Sequence, residues 1–351
     1  MQMRTHSLLL PDSIVDEAAL EELLSRPTPN VIDVLARIDG DLLILGVAGK
    51  MGPTLARMAI RASQEAGTKR KVIGVARFSQ PEHQSALERV GVQTIRADLL
   101  DRKQLDALPD APNVIYMPAM KFGSTNQEAL TWAMNTYLPG MCAQRYAKSR
   151  IVAFSTGNVY GLSPIAHGGS TETSALNPMG DYAMSCLGRE RMFEHFSRVN
   201  GTPVSIIRLN YATELRYGVI VDLARKILDG QPIDLSMGNL NAIWQADANA
   251  MTLASLAYAS TPPFIVNVSG PELLSVREIA TQLAGRMGKA VGFTGIESFD
   301  ALLSNGRLGH RLFGYPTVSI GHVIDWTADW ISRGGSSLEK PTHFETRTGT
   351  Y

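Results

Sequence analysis

The chain has 351 residues, 44% of them hydrophobic, enough to bury a sizeable core in one large domain or two closely joined ones. Its 33 basic residues balance 33 acidic ones, so no net field draws in nucleic acid or an anionic membrane surface, and no stretch reaches the roughly 20 apolar residues of a membrane span. Two cysteines, Cys142 and Cys186, with no signal-peptide pattern over Met1–Leu10, where Leu8-Leu9-Leu10 stops at Pro11, exclude a disulfide framework and point to a reducing, cytoplasmic setting.

In chain order, Asp12-Ser13 is the expected cap of an amphipathic run from Ile14 to Ser25, ended by Pro27-Thr28-Pro29. Residues 1–40 therefore read as a helical extension packed on the outside of the main domain. From Asp41, short apolar runs alternate with longer helical ones: DLLILG, Pro53–Ala66, KVIGVA, Pro81–Val90, VQTIRA, Arg102–Leu108 and NVIYM. The order continues with a helix over Gln127–Ala147, the strand IVAFS, a helix over Tyr182–Val199 and the strand PVSIIRL. This βαβ alternation predicts an α/β fold, a Rossmann-type doubly wound parallel sheet of seven or so strands with helices on both faces, over residues 41–210. After Asn210 the segments shorten, with breaks at Gly230-Gln231-Pro232, Pro262-Pro263, Gly270-Pro271 and Gly314-Tyr315-Pro316. Residues 211–335 read as a smaller mixed α/β substrate-capping region interleaved with the sheet. The polar tail, 336–351, is expected on the surface or against a neighbour.

Gly46-Val47-Ala48-Gly49-Lys50-Met51-Gly52 follows the first strand and leads into a helix expected to begin at Pro53. Glycines there let the backbone turn tightly and approach a pyrophosphate, and the helix dipole attracts its charge. A tight strand-to-helix turn is the plainer reading of the same glycines. At the end of the second strand, where an acid normally accepts the adenosine ribose hydroxyls of NAD, the chain reads Val75-Ala76-Arg77. Arg77 suits a 2′-phosphate, so NADP is the expected cofactor ahead of NAD; a solvated arginine is the alternative.

The segment from Ile151 to Gly161, IVAFSTGNVYG, together with Glu172, Asn177-Pro178, Tyr182 and Arg208-Leu209-Asn210, resembles the NAD-dependent epimerase/dehydratase family of extended short-chain dehydrogenases/reductases. The marks run from Asp41 to about Asn210, roughly half of the chain. The resemblance implies that Asp98-Leu99 contacts adenine, although Asp98 equally reads as a helix cap. It also implies that Pro118 and Ala119 pack on the cofactor and that Asn135 buttresses the catalytic region. Thr156, with Ser155 beside it, would hold the reacting oxygen while Tyr182 exchanges a proton and the nicotinamide exchanges hydride. Asn158 and Asn210 would face substrate, and the family implies a homodimer through the helices Gln127–Ala147 and Tyr182–Val199.

One family mark is missing. Where the family carries Tyr-x-x-x-Lys, this chain reads Tyr182-Ala183-Met184-Ser185-Cys186. In relatives the lysine, one helical turn on, binds the nicotinamide ribose and lowers the tyrosine pKa. A phenol at its ordinary pKa of about 10 is ionised about once in a thousand molecules at pH 7. Arg189 and Arg191 share the helix, but Arg189 is two turns from Tyr182 and Arg191 points elsewhere by helical phase, whereas Lys121, in the loop after the fourth strand, is the better candidate. Slow chemistry on an easily lost proton, or binding without turnover, are the other readings.

Relatives that bind a nucleotide diphosphate carry an arginine where this chain has Asn241, which argues against a standard nucleotide sugar; Arg216 is a candidate to compensate. Trp244 reads as core and Asp247 as a capping or packing residue. The seven histidines show no metal spacing. The leading reading is an NAD(P)-dependent oxidoreductase, epimerase or dehydratase acting on a sugar, sugar acid or polyol-like small molecule, with Tyr182 as acid/base. The alternative is a catalytically impaired NAD(P)-binding sensor or scaffold.

Overall fold

The computed structural model describes residues 10–121 and 126–349; Leu8, Leu9 and the last residues of the tail lie outside them. Two helices, α1 (Glu17–Leu24) and α2 (Pro29–Arg37), precede the sheet. Asp16 caps α1, accepting the Ala19 amide at 2.8 Å, so the expected cap at Asp12-Ser13 lies too early. The preceding stretch is not helical: Ile14 is buried, and its carbonyl accepts the Arg333 guanidinium at 2.8 Å. Pro27-Thr28-Pro29, read as a break, starts the second helix. Thr28 Oγ1 accepts the Val31 amide, and Pro29 occupies a first-turn position that needs no amide donor.

The doubly wound parallel sheet is present. Its seven strands are β1 (Leu42–Leu45), β2 (Val72–Ala76), β3 (Gln93–Arg96), β4 (Asn113–Tyr116), β5 (Arg150–Thr156), β6 (Val204–Leu209) and β7 (Phe264–Val268), in spatial order β3-β2-β1-β4-β5-β6-β7. The central β1 is covered on both faces, which is why it reads as the unbroken apolar run LLIL; β3, at an edge, is polar. The edge strand β7 comes from beyond residue 210, so the capping region and the dinucleotide-type half share one sheet.

The remaining helices are α3 (Gly52–Glu65), α4 (Pro81–Arg89), α5 (Arg102–Asp106), α6 (Glu128–Trp132), α7 (Leu138–Arg145), α8 (Gly180–Asn200), α9 (Val219–Leu228), α10 (Gln245–Ala254), α11 (Val276–Met287), α12 (Arg307–Phe313) and α13 (Ile320–Ser332). One face of the sheet is packed by apolar residues of α5, α7 and α8. The other is packed by α3, α9, α10, α11 and α13, and by α1 and α2. Leu20, Leu24, Val31 and Leu35 are each at most 1% exposed, so the N-terminal helices are part of the main core rather than an outer layer. Each such side chain contributes about 1.5–3 kcal/mol on burial.

The single helix expected over Gln127–Ala147 is broken into α6, a π-helical turn at Ala133–Tyr137, and α7. Pro139 has no amide to donate to the Asn135 carbonyl four residues back, so the ladder shifts register there. The strand order reverses between β2 and β4 on either side of β1, and a cleft opens at their carboxyl ends, as this topology requires.

Candidate active site

The cleft, about 610 Å³, is lined by the glycine turn at Gly46, Gly49, Lys50 and Met51, and by Ala119, Lys121, Thr156, Asn158, Tyr182 and Asn210. Gly46 has φ +80°, and an added Cβ would lie 3.0 Å from Pro118, which explains both the glycine and the proline packed on it. At Gly52 a Cβ would fall 2.2 Å from the Val47 carbonyl oxygen. Helix α3 begins at Gly52, with Pro53 in its first turn, and Met51 supplies no side-chain cap. Gly49 meets nothing nearer than the Gly46 carbonyl at 3.4 Å, so the turn is open on the cleft side. Bare backbone at an uncapped helix start fits a pyrophosphate.

Arg77, Asp98 and Leu99 sit beyond β2 and β3, outside the cleft lining. Arg77 is exposed directly after β2, and Leu99 is buried. Asp98 does not cap the next helix: Asp101 does, accepting the Lys103 and Gln104 amides, while Asp98 Oδ1 accepts the Leu100 amide.

Thr156 ends β5, and its hydroxyl accepts the Asn158 amide at 3.2 Å and donates to Asn158 Oδ1 at 3.1 Å. Ser155 is committed elsewhere, donating to Glu190 at 2.5 Å. Glu190 pairs with Arg208 at 2.6 Å, both side chains 3% exposed, and Arg208 reaches Tyr160, whose hydroxyl donates to Asn267. Under the site this network joins α8, β5, β6 and β7. Hydrogen bonds and Coulomb attraction from Glu190 hold the Arg208 guanidinium above its usual range despite desolvation.

Tyr182, Cys186 and Arg189 follow one face of α8. Cys186 is fully buried beside Val159, Tyr160 and Tyr182. Burial pushes its thiol up, against opposing pulls from Arg189, a hydrogen bond with Tyr182, and Lys121. Lys121 Nζ lies 5.8 Å from the Tyr182 ring centroid and donates to the Thr342 carbonyl at 3.4 Å. Burial lowers its pKa to about 8, with Cys186 and Asp222 opposing, so about nine in ten molecules keep that charge at pH 7. Arg189 donates to the Phe154 carbonyl at 2.8 Å and to Asn135 at 2.9 Å. Asn135, in the π turn, both accepts from the Met120 amide and donates to its carbonyl at 2.9 Å, fixing the residue next to Lys121.

Arg216 turns away from the cleft. It is held by Glu214 at 3.1 Å and by Glu21 of α1 at 2.7 Å, so it anchors the N-terminal helix and does not stand in for a phosphate-binding arginine. Asn241 is spent on the Glu272 carbonyl and the Ser304 amide, both at 2.9 Å. Trp244 is core, edge-on to Trp326, and Asp247 accepts the amides of Thr317 and Val318. Asn210 lines the cleft and donates to the Leu302 carbonyl at 3.4 Å.

The tail, expected on the surface or against a neighbour, instead packs into this chain's own cleft and core. Lys340 and Thr342 line the cleft, and Phe344 is 1% exposed within the core. Among the described residues no group of His, Cys, Asp or Glu is placed to hold a metal ion, and no helix is long and apolar enough to cross a membrane.

The NAD dependent epimerase/dehydratase family model matches residues 42–245, more than half of the chain. The chain belongs to that family. No curated protein matches it in sequence. Solved structures of similar fold include UDP-glucuronic acid 4-epimerase from Bacillus cereus in complex with UDP-glucuronic acid and NAD, at TM-score 0.68 and 19% identity over 84% of this chain and 99% of that one. UDP-glucose 4-epimerase from Thermotoga maritima gives TM-score 0.69 at 17% identity, over 84% and 99%. dTDP-glucose 4,6-dehydratase from Bacillus anthracis, in complex with NAD, gives 0.70 at 15%, over 84% and 97%. In this epimerase/dehydratase family member, the residue one turn after Tyr182 is Cys186, and the amine beside the phenol comes from the loop after β4.

Proposed function

We propose that the chain is an NAD(P)-dependent oxidoreductase, epimerase or dehydratase for a sugar, sugar acid or polyol-like compound, with Tyr182 as acid/base and Lys121 as its activating cation. The observation that carries this reading is the convergence of Tyr182, Thr156 and Lys121 on the cleft that the glycine turn borders. The turn and the start of α3 would hold the cofactor's pyrophosphate, and a bound nicotinamide would supply the hydride chemistry. Thr156 would orient the substrate hydroxyl, and Tyr182 would take or return its proton. Taking the ring centroid, 5.8 Å from the ammonium, as the centre of the phenolate charge and an effective dielectric constant of about 20, the attraction is about 3 kcal/mol, or about a hundredfold. Lys121 therefore takes over electrostatically what a lysine at position 186 would do. Asn241 and Arg216, both engaged elsewhere, support a substrate other than a standard nucleotide sugar.

The reading is tested by kinetics on Lys121→Met, expected to lose about a hundredfold in kcat. The ammonium and the phenolate stabilise each other, so wild-type activity in the proton-abstracting direction should rise with pH and level off at a lower pH than in Lys121→Met. An unchanged pH profile in Lys121→Met would contradict the assignment.

The reading extends to NADP, on Arg77 at the end of β2. NADPH is expected to bind at least about tenfold more tightly than NADH, as one lost charge-assisted contact implies, and Arg77→Glu should reverse the order. Equal or tighter NADH binding by the wild type would remove the preference. A homodimer through α8 and the 128–145 segment is supported by the exposure of Leu130, Tyr137 and Met184 on these elements. The two free, buried cysteines accord with a reducing, cytoplasmic setting.

A further inference from the structure

We propose that Lys50, Lys121 and Lys340 form an anion-binding site in the cleft, so that the substrate carries a carboxylate or phosphate group and the C-terminal strap selects it. The proposal rests on the functional reading above and narrows its substrate class to acidic compounds.

The three amines reach one cleft from three distant parts of the chain: the glycine turn, the loop after β4 and the tail. Lys50 Nζ stands 3.3 Å from the Tyr217 ring centroid, and Lys121 bonds the carbonyl of Thr342, two residues beyond Lys340. Burial, then repulsion from Lys121 and Lys340, pushes Lys50 down to about 6, with Asp222 offsetting part of this. The Asp222 carboxylate in turn accepts the amide and hydroxyl of Thr342 at 2.7 and 2.5 Å. Lys50 is therefore mostly uncharged at pH 7 in the empty cleft, and an anion among the three amines would restore its charge.

The strap that brings Lys340 is anchored along its length. Its Leu338 amide donates to the Arg216 carbonyl at 3.0 Å, Glu345 pairs with Lys226 at 2.9 Å, and Arg347 binds Asp300. Gly349 packs backbone to backbone on the start of α8, where a Cβ would lie 2.1 Å from the Met179 carbonyl oxygen. The strap thus spans α9 and the helix that carries Tyr182. Lys50 borders the pyrophosphate turn, so Lys340 is the residue that separates a substrate site from a cofactor site.

The test is calorimetric titration of cofactor-saturated protein with malonate, inorganic phosphate and the neutral polyol ribitol. Malonate or phosphate is expected to bind at least about tenfold more tightly than ribitol, the better of the two naming the acidic group. Lys340→Ala should weaken that anion about tenfold, Lys340→Arg should restore it, and NAD(P)H affinity should stay within about twofold in both variants. Anions that bind no better than ribitol, or an affinity unmoved in Lys340→Ala, would overturn the proposal. A parallel loss of NAD(P)H affinity would also overturn it, by giving the lysines to the cofactor. A wild type that binds no NAD(P)H would sink the functional reading instead, while the same titration on cofactor-free protein would still decide the anion site.

Discussion

Tyr182→Phe is expected to lower kcat/KM by about a thousandfold while leaving NAD(P)H affinity and folding nearly intact. The phenol ring is mostly buried against Val159 and Cys186, and phenylalanine keeps that packing. What disappears is the hydroxyl proposed to exchange the substrate proton, and a positioned general acid/base contributes about 10²–10⁴-fold. Steady-state kinetics with a fluorescence titration of the cofactor separates the two effects. A variant with wild-type kcat/KM would assign the proton transfer to another group, whereas one that no longer bound cofactor would make Tyr182 a structural residue.

Arg208→Met should be the most destabilising single change beneath the site. It leaves the Glu190 carboxylate buried without its cation and removes the donor to Tyr160. Breaking a buried pair from one side costs about 3–5 kcal/mol, because the remaining charge has lost its compensation. The urea midpoint should fall accordingly, and adding Glu190→Gln should recover much of the loss. A shift below about 1 kcal/mol would mean that water reaches the pair and that the network does not hold β5, β6 and α8 together.

The sheet was legible because its central strands are buried on both faces and so read as uninterrupted apolar runs. Gly46 was legible for a related reason: a positive φ against Pro118 leaves little alternative to glycine. Misread elements lay where one local signal carries two meanings. Pro29 reads as part of a break yet opens the next helix, and Pro139 sits at the start of α7, directly after a π turn that keeps the segment helical. Asp98 and Asp101 are both plausible caps, and only the direction of the chain after β3 chooses Asp101. β7 escaped notice beside Pro262-Pro263, which mark its approach rather than a gap.

The site was less legible than the fold, since side chains from remote segments compete for the same partners. Arg216 was a reasonable phosphate ligand until α1 presented Glu21 to it. Ser155 stood next to Thr156 in sequence, yet Glu190 from α8 takes its hydroxyl. Lys340 and Thr342 were out of reach of local patterns: nothing in a polar tail announces that Phe344 will fasten it over the cleft.

The measurement that goes most directly to the central claim is kcat/KM at pH 7 for Lys121→Met beside Lys121→Met/Cys186→Lys. If Lys121 serves as the cation for Tyr182, the single variant should fall about a hundredfold and the double variant should regain at least about tenfold. The new amine would rise from one helical turn beyond the tyrosine, on the same face of α8. Wild-type activity in the single variant, or no recovery in the double, would contradict the account.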